Sequence, residues 1–235
     1  MINLNSLSRK LLLLQRNELL TKRQKWLRKK FGRFVFTNIL INYFQDKYLE
    51  KNTENLFSKE IETFKKYLPN STKKIMDIGC GLGLIHIYLN KIFKNSPNFF
   101  LLDKNRIDNK IKYGFSNNYE SYNDLSETKN ILIANQINLN QINLFDVEKD
   151  IIIEEEIDLV ISLKSMGYHY PFELYLKLFN QCCTKNTLFI FDLSKTYFDQ
   201  NKLKKYFEKI QIIYEEDSIH PLKRVLCKGF IGESL

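Results

Sequence analysis

The chain has only four cysteines in 235 residues, Cys80, Cys182, Cys183 and Cys227, and two of them are adjacent. Adjacent cysteines do not readily staple a fold, and no Cys-x-x-Cys or Cys/His spacing occurs, so the sequence implies neither disulfides nor a zinc site. A reducing, cytoplasmic setting is the expectation that follows. Long apolar runs are also missing. None approaches the roughly 20 residues that a bilayer-spanning helix requires, so no transmembrane segment is expected. The early apolar block at residues 11–14 is too short for a signal-peptide core, whereas the basic, acid-poor start leaves a cleaved organellar transit peptide open. Alanine and glycine are scarce while isoleucine, lysine and asparagine abound, which we read as compositional drift rather than function. No internal repeat and no Gly/Ser linker is present.

What is there suffices for one sizeable α/β domain with a small appendage, since 44% of the residues are apolar. Charge is unevenly divided. Residues 1–33 hold ten basic side chains and a single acid, Glu18, a balance of +9 that equals the net charge of the whole chain. Residues 34–235 carry 26 side chains of each sign. Such asymmetry predicts an attachment region for an anionic partner, either RNA or an anionic membrane surface. Residues 6–31 read as one basic amphipathic helix, with Leu12, Leu19, Leu20, Leu27 and Phe31 at loosely helical spacing. The competing reading is a helix that packs on the protein's own body. Further helices are expected at about 34–49 and 54–67, before the turn signal Pro69-Asn70.

From Lys73 the pattern changes to short apolar runs alternating with helices. Strands are expected at 74–78, 98–102, 141–145, 157–162 and 187–191, with helices at 84–93, 122–135 and 172–183. A lysine-rich helix at 199–209 and two late strands, 210–214 and 223–230, finish the chain. Buried strands separated by helices predict a parallel sheet built from right-handed crossovers. The expected fold is therefore α/β, doubly wound, with a mostly parallel seven-stranded sheet and an antiparallel edge strand, preceded by an N-terminal helical extension. We divide it into residues 1–70, the basic extension, and 71–235, the Rossmann-like domain.

The densest signal is the first strand-to-helix turn, Asp77-Ile78-Gly79-Cys80-Gly81-Leu82-Gly83. Glycine permits a tight turn and close approach of backbone to a ligand, and the helix that follows offers free amides to an electron-rich group. Dehydrogenase turns space their glycines as G-x-G-x-x-G, and position 84 here is leucine. The turn resembles instead the first motif of class I S-adenosylmethionine-dependent methyltransferases, and the resemblance extends over roughly residues 73–230. It implies S-adenosyl-L-methionine as cofactor, held by Asp77, Gly79, Cys80, Gly81, Gly83 and Ser162. Asp103, ending the second strand, would meet the ribose hydroxyls, and Asp146, ending the third, the adenine amino group. Each aspartate is equally a common strand-end or capping residue.

Ligands on open α/β sheets gather at the carboxyl ends of the strands, so the acceptor is expected beyond the fourth strand. There the chain reads Ser162-Leu163-Lys164-Ser165-Met166-Gly167-Tyr168-His169-Tyr170-Pro171. This stretch resembles one found in bacterial methyltransferases linked to surface-glycan synthesis. His169 is the candidate general base, because imidazole titrates near neutral pH. Holding the loop by hydrogen bonds is the alternative for His169. Lys164 would orient an anionic acceptor or simply be solvated. The Asn/Asp-Pro-Pro-aromatic motif of base-directed amino methyltransferases is missing after the fourth strand, and neither Cys182 nor Cys183 follows a proline. No metal site is expected, with Asp146 and Asp192 as the only pair that would allow one. The reading is an O-methyltransferase of a small molecule or glycan, the alternatives being an RNA methyltransferase or a non-catalytic scaffold of the same fold.

Overall fold

Period-two alternation sorts the apolar strand residues onto two faces, and each face has its own core. A computed structural model describes residues 2–43, 46–107, 122–168, 170–194, 200–217 and 221–232. Its strands are β1 (Lys74–Ile78), β2 (Asn98–Asp103), β3 (Ile142–Asp146), β4 (Leu159–Ser162), β5 (Leu188–Ser194), β6 (Phe207–Glu216) and β7 (Leu222–Phe230). They form one seven-stranded sheet in the order β3-β2-β1-β4-β5-β7-β6. β1 to β5 pair in parallel, and β7 lies antiparallel to both β5 and β6. The doubly wound sheet with an antiparallel edge is thus the observed architecture.

The helices are α1 (Ser6–Gln15), α2 (Lys22–Phe31), α3 (Arg33–Tyr43), α4 (Asp46–Glu62), α5 (Leu84–Ile92), α6 (Leu125–Ala134), α7 (Leu176–Cys182) and the short α8 (Gln200–Leu203). Ile75, Phe99, Leu101, Ile161 and Ile190 share the first core with leucines of α1, Phe57 and Ile61 of α4, and Leu132 of α6. The alternate strand residues Met76, Ile78, Phe100, Leu102 and Val160 share the second with α7 and a group of rings. In that group Phe172 lies 5.3 Å from Phe179 and 5.7 Å from Phe191, centroid to centroid.

Two helical expectations need correction. The single basic helix over residues 6–31 is instead α1, a 3-10 turn at Asn17–Leu19, and α2. Capping boxes explain the break: Asn5 pairs with Ser8 at the start of α1, and Thr21 with Gln24 at the start of α2. Leu11, Leu12, Leu13 and Leu14 are all buried, so the carboxyl-terminal half of α1 is enclosed rather than lying on a surface, while Ser6 and Leu7 at its start are exposed. Its carboxyl end is capped by a cation from the next helix, because Arg28 donates to the Leu13 and Leu14 carbonyls at 2.9 and 3.3 Å. The lysine-rich helix expected over 199–209 shrinks to α8, and β6 begins at Phe207. Burial of Phe207 in the second core overrides the helical composition around it. Among the described residues no helix is long and apolar enough to cross a membrane.

Candidate active site

The turn from β1 into α5 is built on three left-handed glycines, Gly79, Gly81 and Gly83, with φ of 76°, 53° and 68°. Space demands glycine as firmly as φ does at the first of them. A Cβ on Gly79 would lie 2.0 Å from Ser165 Oγ, and one on Gly81 would lie 2.8 Å from Gln15 Oε1. The Gly79 and Cys80 amides donate to the Leu102 carbonyl at 2.8 and 3.1 Å, which ties the turn to β2. The Gly81 carbonyl accepts from Thr128 Oγ1 at 2.8 Å and Asn123 Nδ2 at 3.0 Å. Cys80 is buried, and desolvation, then the nearby Asp103 and Asp77, hold its thiol well above the ordinary range.

Asp103 reaches back to this turn from the end of β2. Its Oδ2 accepts the Gly81 amide at 2.7 Å, and its Oδ1 accepts the Lys104 amide at 2.7 Å. Burial nevertheless lifts its carboxyl to about 6, against the pull of those two amides. Asp146 stands beside it, the register partner of Asp103 across β2 and β3. Its Oδ1 accepts the Glu148 amide at 3.1 Å.

Asp77 lies behind the turn with His86. The His86 ring is fully buried, Nδ1 donates to the Gly83 carbonyl at 3.1 Å, and Nε2 lies 3.4 Å from Asp77 Oδ2. Burial lowers the imidazole to about 4, and burial followed by Asp103 raises Asp77 well above the usual carboxylate range. Burial thus disfavours charge on both members of this pair. Asp77 Oδ1 has no hydrogen-bond partner among the described residues.

The segment after β4 packs directly onto the glycine turn. Ser162 is buried and donates to the Ile78 carbonyl at 2.6 Å while accepting the Met166 amide at 2.9 Å. Its hydroxyl therefore braces turn and loop against each other. Gly167 has φ of 75°, and a Cβ there would lie 2.6 Å from Leu193. Lys164 also adopts a left-handed backbone, its amide donates to Asp192 at 3.1 Å, and its ammonium is paired with Glu18. Burial opposes ionisation of Glu18, but Arg16 and Lys164 outweigh it and hold the carboxyl below its usual value. His169 lies outside the described residues.

Several residues at the site were not foreseen. Gln15, at the end of α1, donates to the Tyr122 carbonyl at 2.8 Å and to Asn123 at 3.3 Å, and it fills the space over Gly81. Arg16 bonds Glu60 at 2.9 Å. Asp192, considered for a metal, is held instead by the buried Arg224 guanidinium at 2.7 and 2.8 Å. The capping boxes were the local sequence signal for where α1 and α2 each begin; nothing local marks their partners. A groove lined by Tyr67, Pro69, Asp158, Lys185 and Thr187 sits at the amino ends of β1, β4 and β5, opposite the glycine turn, and takes no part in the site.

No protein-family model matches the sequence, and no curated protein matches it. Solved structures do. A Nostoc punctiforme protein assigned as an O-methyltransferase is 10% identical and aligns over 77% of this chain and 58% of its own, with a TM-score of 0.53. The ribosomal protein L11 methylase of Lactobacillus delbrueckii is 13% identical over 72% of this chain and 76% of its own, with a TM-score of 0.47. The Bacillus subtilis M1A22 tRNA methyltransferase TrmK is 16% identical over 72% of this chain and 64% of its own, with a TM-score of 0.48. At these identities the likeness is one of backbone alone. This chain has the class I, Rossmann-like fold of S-adenosylmethionine-dependent methyltransferases.

Proposed function

We propose that the protein is an S-adenosylmethionine-dependent methyltransferase acting on an oxygen of a small molecule or sugar, the latter as part of a glycan. One observation carries the cofactor half of this reading: Asp103 and the glycine turn are joined by a 2.7 Å hydrogen bond at the carboxyl edge of the sheet. The residues fit the cofactor. Asp103 and Asp146 end neighbouring strands in register, and the buried Asp77 Oδ1 has no partner among the described residues. Asp103 would accept from the ribose hydroxyls and Asp146 from the adenine amino group. Gly79, Cys80, Gly81 and Gly83 would form the turn against which it lies, with Gln15 displaced from over Gly81, and Ser162 would brace them. S-adenosylmethionine bound there would supply a methyl group on a positively charged sulfur.

The oxygen acceptor is supported by the loop after β4, where Ser165, Tyr168, His169 and Tyr170 cluster in sequence. His169 would take the proton from the attacking hydroxyl. Lys164 would orient an anionic acceptor by exchanging its partner Glu18 for it. Four free cysteines support a reducing, cytoplasmic setting. Calorimetry tests the cofactor half. Asp103→Ala should weaken binding of S-adenosylmethionine about ten-fold or more, because charge-assisted bonds are each worth about 1.5–3 kcal/mol. Unchanged affinity sinks the assignment. For the acceptor half, labelled cofactor is offered to glycan, lipid and RNA fractions, and His169→Ala should cut turnover by about 10²–10⁴ with cofactor affinity intact.

A further inference from the structure

With Leu11 to Leu14 of α1 buried in the core and its Arg9 and Lys10 only half-exposed, the fully exposed cations of the amino-terminal region lie on α2. Between Glu18 and Asp46 the sequence holds seven basic residues and no acid. Two of the seven are engaged internally, Arg28 on the carbonyls of α1 and Arg33 over the Tyr122 ring at 4.9 Å. The other five, Lys22, Arg23, Lys25, Lys29 and Lys30, are exposed. Large apolar side chains are exposed among them, Trp26 at 61%, Phe31 at 54%, Val35 at 57% and Ile39 at 48%. Trp26 shares a helical stripe with Lys22, Lys29 and Lys30, and the Lys30 ammonium lies 5.3 Å from its ring centroid. Val35 and Ile39, one turn apart, share a stripe of α3, and Phe31 stands at the corner between the two helices.

We propose that the α2–α3 pair docks the protein on an anionic lipid surface. Trp26, Phe31, Val35 and Ile39 enter the interfacial layer, and the five cations face the headgroups. The side chains favour lipid over nucleic acid. Base stacking uses aromatic faces, and aliphatic Val35 and Ile39 offer none. Arginine is the bidentate phosphate fork, yet Arg28 and Arg33 are turned inward and four of the five outward cations are lysines. The surface also begins beside the acceptor loop. Thr21, the amino cap of α2, is three residues from Glu18, which pairs with Lys164, and three residues of chain reach about 11 Å at most. Docking stands on exposure and charge, and it holds whether or not the chain transfers methyl groups.

The test uses the full chain. It should co-sediment with vesicles of phosphatidylcholine containing about 30% phosphatidylglycerol and not with phosphatidylcholine alone. Trp26 is the only tryptophan, so its emission should move to the blue on the anionic vesicles. Replacing Lys22, Lys25, Lys29 and Lys30 together by glutamine should weaken vesicle binding about 100-fold or more, since each charge is worth about five-fold at such a surface. Trp26→Ser with Ile39→Ser should retain attraction at low salt but lose the binding that survives about 0.5 M salt, where exposed charges are screened. Every one of these positions is exposed, so melting temperatures should be unchanged. Glutamine at the exposed Lys202, Lys204 and Lys205 should leave vesicle binding as it was. The proposal is overturned if Trp26 emission does not respond to anionic vesicles, or if the lysine variant binds as tightly as the parent. Capture by an RNA homopolymer without capture by vesicles overturns it equally.

Discussion

Burial lowers His86 to about 4 and lifts Asp103 to about 6, and the two shifts pull stability in opposite directions as acid is added. His86 takes its proton near 6.5 when unfolded and near 4 when folded, so its contribution is lost as pH falls through that window. Asp103 is protonated more readily folded than unfolded, so folding gains as pH falls from about 6 towards 3.8, and the raised Asp77 acts in the same sense. Asp103→Asn removes one of the opposing contributions. The drop in melting temperature between pH 7 and 5 should therefore be a few degrees larger in that variant than in the parent, and an equal drop would contradict the sign. A different balance operates at Gly79. Alanine there meets both a left-handed φ and Ser165 Oγ, so Gly79→Ala should cost about 2 kcal/mol or more in denaturant melts. Adding Ser165→Gly should restore only the steric share.

Truncation at residue 33, which charge counting alone would pass as harmless, removes the buried leucines of α1 from the first core. Residues 34–235 by themselves are expected to be insoluble. The single substitution Leu12→Ala should cost about 2–5 kcal/mol, and an effect below 1 kcal/mol would mean that α1 is not part of the core. The parallel part of the sheet and the glycine turn were legible because β1 to β5 are short apolar runs, whereas the charged, half-exposed β6 hid its first residues in a helix-like composition. The amino-terminal helices were less so. Leu11 to Leu14 in a basic segment read as one surface helix, although the Thr21/Gln24 capping box that divides it is present in the sequence. Gln15, Glu18 and Asn123 were invisible as site residues for another reason. Gln15 meets Asn123 from 108 residues away and Glu18 meets Lys164 from 146, and no local pattern encodes such pairings.

Across the whole molecule, buried charges tie the amino-terminal helices to the last strands. Arg224 on β7 holds Asp192 on β5, donates to the Glu60 carbonyl at 3.3 Å and bonds Thr63, while Glu60 in turn holds Arg16. Arg224→Met would leave Asp192 fully buried without its cation, at a cost of about 3–5 kcal/mol. Chemical denaturation should show that loss, and a change below 1 kcal/mol would mean that the pair is not isolated from water. The enclosed α1 has a consequence for how the protein is made. Its leucines are made before α6, one of the helices that pack on them, and before every strand of the sheet whose core they share. At about 5–20 residues per second, the stretch from Leu14 to the start of α6 would leave that apolar segment partly uncovered for roughly five to twenty seconds. Residues 11–14 are therefore a natural station for a chaperone acting during translation.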